Sequence, residues 1–176
     1  KRYPALNLNV SFTDRRVDLV NENVDLAVRI GKLDDSSDLV ALRIAVQHVE
    51  IVGAPSYLAQ RGIPRTGDDL QAHDCIVGRR QGNRVAWLLE QPDGTTAKHT
   101  VPIKHEFQDF DAVLMAVRAG HGLAQLPSWM VQDDVRRGTL NIVLDRLSGG
   151  ELPINILWPR TKTLPAKIRV IVDGLA

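Results

Sequence analysis

The stretch VDLAVRIG, Val24 to Gly31, decides the fold that this sequence predicts. It is short and almost wholly apolar, which is typical of a strand covered on both faces in a parallel sheet. Before it, Val17, Val20 and Val24 recur at helical spacing, and Thr13 stands where it can cap such a helix. We therefore expect a helix followed by a buried parallel strand that ends at a ligand cleft.

An alternating segment, ALNLNV, precedes the predicted helix. Leu6, Leu8 and Val10 would share one face of a strand here, with asparagines on the other face. Strand, helix and strand in this order form a βαβ unit, which favours a right-handed crossover and a parallel sheet. The amino-terminal part of the chain thus predicts an α/β fold.

The rest of the chain continues to alternate strand and helix signals. Strands are predicted at VALRIAV, HVEIVG, CIVGRR, RVAWLLEQ, TTAKHTVPIKHEF, LAQLP, TLNIVL and INILW, with a hairpin turn at Pro92, Asp93 and Gly94. Two short helices are predicted, one from Pro55 to a cap at Gly62 and one that begins after a cap at Thr66. A third runs from Asp109 to Gly120 with an inner stripe of Val113, Leu114, Ala116 and Val117, and a fourth runs from a cap at Ser128 to Gly138. The last begins near Pro165, and its stripe is Ile168, Ile171, Val172 and Leu175. Either VALRIAV or HVEIVG is expected to cross between two lobes.

The composition excludes several classes of protein. Twenty-two Lys and Arg residues against 21 Asp and Glu leave a net charge of +1, which is too balanced for a nucleic-acid-binding surface. The single cysteine, Cys75, cannot form an internal disulfide, which fits a reducing compartment and favours the cytoplasm. No apolar run reaches the roughly 18 to 20 residues of a membrane helix, so no membrane association is expected.

Catalytic and cofactor motifs are missing from the sequence. It contains no nucleophile elbow, phosphate-binding loop or HExxH motif, and its five histidines stand apart from one another, so we predict no enzyme activity, no metal and no cofactor. Gly120, His121 and Gly122 begin a dinucleotide fingerprint, but Gln125 stands where its third glycine is required. These glycines are better explained by a helix cap and by tight packing of the helix against the next strand.

Polar groups at the ends of the predicted strands mark the expected binding site, because ligands of open α/β sheets bind at the carboxyl ends of parallel strands. The four positions are Ser11 to Thr13, Arg29 to Gly31, Gly78 to Arg80, and Gln108 to Phe110. Arginines and a helix N-terminus would suit an anionic effector. Asp109 and Asp111 would repel one, so the sequence leaves the charge of the effector open.

The chain resembles, almost end to end, the effector-binding domain of LysR-type transcriptional regulators. The resemblance is carried by YP before ALNLNV, by DLAVRIG, by GAPSYLAQRGIPRTGDDLQAHDC from Gly53 to Cys75, by a strand with Trp87, by DAVLMAVRAGHGLAQLP from Asp111 to Pro127, and by the closing LWPRTKTLPAKIRVIVDGL. Gly67 departs from the family, in which proline is usual. Each motif is short, but their shared order and spacing are highly specific.

The resemblance implies two Rossmann-like lobes joined by crossing strands, as in periplasmic binding proteins. It implies a first lobe at residues 1–45 and 152–176 and a second lobe at residues 46–151, with a small-molecule effector bound between them. An organic or aromatic acid would suit the arginines. The residues carried over as effector contacts are Phe12, Thr13, Arg29, Ile30, Gly31, Gly78, Arg79, Asp109 and Phe110. In such regulators the effector shifts the populations of two states of a homodimer or homotetramer.

Two parts of the family are not matched by these 176 residues. The winged helix-turn-helix that binds DNA is missing, and so are the first strand and most of the first helix of the effector domain. That strand would lie inside the first lobe, and without it buried backbone groups lose their partners. We expect the chain to be a portion of a longer protein, truncated at its N-terminus, which contacts DNA only through the missing domain.

Two other functions fit the same fold. A solute-binding protein of a transport system would share the two lobes but would be preceded by a signal peptide instead of a helix-turn-helix. A small two-lobed transferase or lyase would require convergent acid, base or nucleophilic residues, which the motifs do not indicate.

Overall fold

The structure is a computed structural model, and it describes residues 3–13, 15, 17–78, 86–91, 93–147, 150–161 and 163–175. The chain divides into two compact units. Unit 1 comprises Lys1–Val46 and Leu152–Ala176, and unit 2 comprises Gln47–Glu151. The chain passes from one unit to the other within strand β2, Leu39–Gly53, and again within strand β9, Glu151–Pro159. No helix in the described ranges is long and apolar enough to cross a membrane.

Unit 1 is built on the order β1-β9-β2, where β1 is Ala27–Ile30. β1 pairs antiparallel with β9, from Ala27 opposite Leu157 to Ile30 opposite Ile154. Helix α4, Ala166–Leu175, buries Ile168 and Val172 against Ile156 of β9. The predicted last helix is therefore confirmed, although its final apolar residue, Leu175, is 48% exposed.

The prediction for VDLAVRIG was wrong in two respects. The neighbour of β1 is β9, which returns antiparallel from the far end of the chain. The strand is not covered on both faces either, because Val28 is 51% exposed and Ile30 is 53% exposed. A short apolar run predicts a strand, but its burial depends on which elements cover it. Here β1 is the outermost strand of the sheet order and carries an alternating surface.

The predicted strand and helix before β1 are absent from the described residues. The segment 5–10 pairs with no strand there, and Leu8 and Val10 are each 65% exposed. A strand pattern without a neighbour lacks the ladder that stabilises it. Residues 19–23 form a turn, and the Asp18 carboxylate accepts the backbone N–H groups of Val20 and Asn21 there at 3.1 and 3.0 Å.

That turn explains why helical spacing was misleading at residues 17–24. A short aspartate that bonds the backbone locally competes with helix formation, and Asn23 adopts a left-handed φ of 53° that no helix accommodates. The buried side chain of this segment is Leu19, 2% exposed, which was not in the predicted stripe. Asp14 and Arg16, which would belong to the predicted helix, lie outside the described residues.

Unit 2 contains the parallel pairing that the sequence predicts. Its strands are β3 Cys75–Gly78, β6 Ile103–Phe107, β7 Leu123–Pro127 and β8 Asn141–Val143, in the order β2-β7-β3-β6 with β8 on β2. β3 lies parallel to both β6 and β7, and β2 lies antiparallel to β7 and β8. Strands β4, Ala86–Glu90, and β5, Thr96–Thr100, form the predicted hairpin as a separate antiparallel sheet.

Two predicted strand boundaries were wrong for opposite reasons. The segments VALRIAV and HVEIVG form the single strand β2, because the polar residue between them, Gln47, is buried and does not break the ladder. The segment TTAKHTVPIKHEF instead divides into β5 and β6 at Val101 and Pro102. Proline cannot donate a ladder hydrogen bond, which explains the division.

The caps of the helices of unit 2 lie within one residue of their predicted end signals. They are α1 Pro55–Arg61, a 3-10 helix at Asp68–Ala72, α2 Phe110–Arg118 and α3 Ser128–Arg137. Gly138 closes α3 with a left-handed φ of 69°, as predicted. Ser128 was predicted to cap α3, but Pro127 occupies that position and Ser128 is the first helical residue.

Candidate functional site

In unit 1, Gly31 fixes the end of β1. Its φ of 108° is one that side-chain-bearing residues rarely adopt, and a Cβ atom added there would meet nothing within 4 Å. The Gly31 N–H donates to the Pro153 carbonyl at 2.8 Å, and the Gly31 carbonyl accepts from Nδ2 of Asn155 at 3.4 Å. Asn155 is 7% exposed and was missed by the sequence reasoning. Its signal was a polar residue inside the apolar run INILW.

The Arg29 guanidinium is hydrogen-bonded to a backbone carbonyl of unit 1. Its Nη2 donates to the Val17 carbonyl at 2.5 Å, and the side chain is half-buried. Arg29 also lines a cavity of about 760 Å³ together with the turn at 17–21, the segment 33–39 and Arg160. Arg160 likewise donates from Nε to the Ser37 carbonyl at 2.8 Å. Both arginines of this cavity therefore satisfy backbone carbonyls.

The same cavity is rich in carboxylates. They belong to Asp18, Asp34, Asp35 and Asp38. Four carboxylates against two engaged guanidinium groups give this cavity an excess of negative charge. Phe12, Thr13, Ile30 and Gly31 do not line it.

Phe12 and Thr13 lie on the exposed amino-terminal segment. The Phe12 side chain is 96% exposed, and Oγ1 of Thr13 accepts the N–H of Arg15 at 3.2 Å. The predicted residues of unit 1 thus form two groups, one on this segment and one at the end of β1.

In unit 2, Gly78 and Phe110 are brought together. Gly78 ends β3, and a Cβ atom added to it would lie 3.3 Å from both Cε1 and Cζ of the Phe110 ring. Phe110 is 39% exposed and begins α2, so its ring packs on bare backbone on one side while part of it remains accessible. Arg79, also predicted for this group, lies outside the described residues.

Asp109 caps α2 as predicted. Its Oδ1 accepts the N–H of Ala112 at 2.7 Å, and the carboxylate is exposed. This carboxylate occupies part of the positive end of the helix, and Asp111 adds a second one in the first turn. The first turn of α2 therefore offers an aromatic surface beside carboxylates.

A buried polar cluster that the sequence did not predict lies between α1 and β3. The Tyr57 hydroxyl contacts Nδ1 of His73 at 3.2 Å and accepts the N–H of Asp74 at 2.8 Å. Burial lowers the pKa of His73, assisted by the nearby charge of Arg61, and burial also raises the pKa of Tyr57. This cluster keeps His73 neutral and joins the two elements.

In the part of the chain that the structure describes, neither Cys75 nor a group of metal ligands offers a catalytic centre. Cys75 is completely buried, and burial raises the pKa of its thiol to about 12, so it is an unreactive core residue. Among the residues that the structure describes, no three or more His, Cys, Asp or Glu side chains are grouped to hold a metal ion.

Comparison with known families gives a match over the whole chain. Residues 1–176 match the family described as LysR substrate binding domain. An uncharacterized HTH-type transcriptional regulator of Haemophilus influenzae is 32% identical over 167 residues, which cover 95% of this chain and 57% of the relative. The HTH-type transcriptional activator AaeR of Escherichia coli is 30% identical over 175 residues, covering 99% of this chain and 56% of the activator.

Solved structures show the same fold. The regulatory domain of AphB from Vibrio vulnificus has a TM-score of 0.82 at 23% identity and covers 99% of this chain and 86% of that structure. CrgA, a LysR-type transcriptional regulator from Neisseria meningitidis, has a TM-score of 0.81 at 25% identity, with 99% of this chain and 58% of CrgA covered. The chain spans a little over half the length of the curated relatives it matches.

Proposed function

The chain belongs to the LysR substrate binding domain family, and from this we propose that it senses a small-molecule effector as the regulatory part of a LysR-type transcriptional regulator. The observation that carries the proposal is the family match across all 176 residues, supported by relatives named as transcriptional regulators. DNA binding would then belong to a part of the protein outside these residues. A homodimer or homotetramer in the cytoplasm is part of the same proposal.

We assign the effector contacts to the strand-end residues in each unit. In unit 1 these are Phe12, Thr13, Arg29, Ile30 and Gly31, and in unit 2 they are Gly78, Arg79, Asp109 and Phe110. The lobes proposed from the sequence are residues 1–45 with 152–176 and residues 46–151. Each of these effector contacts falls in the lobe that corresponds to its unit. Among the described members, Gly78 and Phe110 have the strongest support, because the absence of a Cβ atom on Gly78 leaves room for the Phe110 ring.

For the effector class we propose a planar organic acid, and in particular an aromatic one. A planar ring would stack on the accessible part of Phe110, an arrangement that aromatic rings favour. The engaged guanidinium of Arg29 argues for a ligand whose carboxylate is held mainly by other donors. The carboxylates of Asp109 and Asp111 favour a ligand that bears a single negative charge and hydroxyl groups that can donate to them.

A melting-temperature screen of aromatic and aliphatic acids on the full chain tests this proposal. A ligand at 100 times its dissociation constant should add about 2.7 kcal/mol to the free energy of unfolding. Phe110→Ala should abolish the shift given by an aromatic acid. Met115→Ala is the matched control, because Met115 is a 69% exposed apolar residue on the same helix.

Equal shifts in the Phe110 and Met115 variants would contradict the assignment of Phe110. No shift with any acid would contradict the proposed effector class. The rival function, a transport solute-binding protein, is less favoured because the relatives are named as regulators. It would gain support if the complete protein carried a signal peptide.

A further inference from the structure

Two histidines that are not among the proposed effector contacts meet in unit 2. His105 lies in β6, and His121 lies in the turn between α2 and β7. Their ring centres are 5.9 Å apart and their planes are inclined by 66°. His105 is half-buried and His121 is exposed, so solvent reaches the pair.

Both histidines are held by regular structure. His105 lies opposite Ile76 in the parallel pairing of β3 and β6. The N–H of His121 donates to the Ala116 carbonyl at 3.2 Å, at the closing turn of α2. Gly122 follows directly and packs against the Asp74 carbonyl, which fixes the path of the backbone there. The two rings therefore meet at a steep angle on anchored backbones, and rotation of the side chains would change their spacing.

We propose that His105 and His121 are the two protein ligands of a site for a divalent transition-metal ion, with water completing the coordination. Imidazole nitrogen is a preferred ligand of Zn²⁺ and Cu²⁺. With metal–nitrogen bonds of about 2.0 Å, two imidazoles on one tetrahedral ion have ring centres roughly 5 Å apart. The observed 5.9 Å is close to that spacing.

The other potential ligands of the described chain do not compete well for such an ion. Cys75 is completely buried, and His73 is buried against Tyr57. His99 has a buried Nε2 without a hydrogen-bond partner in the described structure, and solvent does not reach that atom. His48 is exposed, but among the described ring pairs it does not contact another histidine.

Isothermal titration calorimetry of the full chain with Cu²⁺, Zn²⁺ and Mg²⁺ in separate experiments tests the site. One Cu²⁺ should bind per chain, Zn²⁺ should bind more weakly, and Mg²⁺, which prefers oxygen ligands, should not bind. Loss of a hydrogen bond to a metal ligand already lowers affinity about 10- to 100-fold. Removal of a ligand, as in His105→Gln or His121→Gln, should therefore lower it by about tenfold or more.

His48→Gln is the matched control and should leave the affinity unchanged. In the unmodified chain, substoichiometric Cu²⁺ should broaden the ring resonances of both His105 and His121 in NMR spectra, a measurement that does not depend on the folding of any variant. Broadening of only one of the two rings would overturn the proposal. Unchanged affinity in either glutamine variant would also overturn it and would leave the pair as edge-to-face packing.

Discussion

The carbonyl of Asp74 approaches Gly122 so closely that a Cβ atom on Gly122 would lie 2.2 Å from its oxygen. Gly120, two residues earlier, ends α2 with a φ of 78°. The glycines around His121 are therefore explained by helix termination and close backbone packing, as the sequence predicted. A dinucleotide-binding site is not needed to account for these glycines.

Gly122→Ala should strongly destabilise unit 2. We expect a loss of about 2 to 5 kcal/mol in the free energy of unfolding, from overpacking and from the unfavourable φ of 153°. Gly138→Ala is a suitable control, because Gly138 also has a positive φ but its added Cβ atom would meet nothing. The control should lose only about 1 kcal/mol. Equal losses in urea unfolding would show that the contact with Asp74 is unimportant.

His73 should make the stability of unit 2 sensitive to mild acid. Its pKa is lowered in the folded chain, so the unfolded chain binds a proton at higher pH than the folded chain does. Stability is therefore full above the ordinary pKa of 6.5 and falls as the pH drops below it toward the folded pKa. Chemical denaturation between pH 7 and pH 5 measures this slope.

The variant His73→Gln should flatten that slope, because glutamine does not titrate. His48→Gln removes an exposed histidine and should leave the slope unchanged. If His73→Gln retained the slope of the unmodified chain, another group would be responsible for the acid sensitivity.

At the scale of elements, the Gln125 side chain joins the β4–β5 hairpin to the main sheet of unit 2 by hydrogen bonds. Gln125 of β7 donates from Nε2 to the Leu88 carbonyl at 2.7 Å, and its Oε1 accepts the Leu88 N–H at 2.8 Å. The amide thus imitates a strand neighbour for β4. From the sequence alone, Gln125 was informative only because it stands where a dinucleotide fingerprint requires glycine.

Gln125→Met should loosen the hairpin while leaving the main sheet intact. Two backbone groups of Leu88 would lose their partners, at a cost of about 1 to 3 kcal/mol for a part-buried site. Amide hydrogen exchange should accelerate at Leu88 and across β4 and β5. Gln71→Met removes one exposed bond to the Thr100 carbonyl and should have a smaller effect. Unchanged exchange at Leu88 would contradict the proposed role of Gln125.

For the whole molecule, the two units have very different cores. The cluster of buried apolar residues in unit 2 extends from Ile51 to Leu144, whereas the cluster in the described part of unit 1 consists of Ile156, Ile168 and Val172. Buried apolar area is the main favourable contribution to folding. Unit 1 should therefore be the less stable of the two.

Native-state hydrogen exchange tests this difference. Amides of β1 and α4 should open with a lower free energy than amides of β3 and β7, because local stability follows local apolar burial. Binding of the proposed effector should slow exchange in both units. Equal opening free energies in the free chain would mean that both units unfold as one cooperative body.

The sequence by itself determined the family and the elements whose signals are local. Asp109 begins α2 through its side-chain hydrogen bond, and Gly138 ends α3 through its left-handed φ. Both effects depend only on neighbouring residues. The order of the motifs along the chain was enough to predict the two-lobed α/β fold. The predicted effector contacts remain a proposal.

Only the tertiary structure decided what depends on distant parts of the chain. The antiparallel partner of β1 is more than a hundred residues away, and Val28 on β1 is 51% exposed. Gln125 finds Leu88, and Tyr57 finds His73, only after the sheet of unit 2 has formed. Within VDLAVRIG, Ala27–Ile30 form the predicted strand because apolar composition is a local property, whereas residues 24–26 and Gly31 lie outside the strand. Its direction and burial were wrong because both are properties of its neighbours.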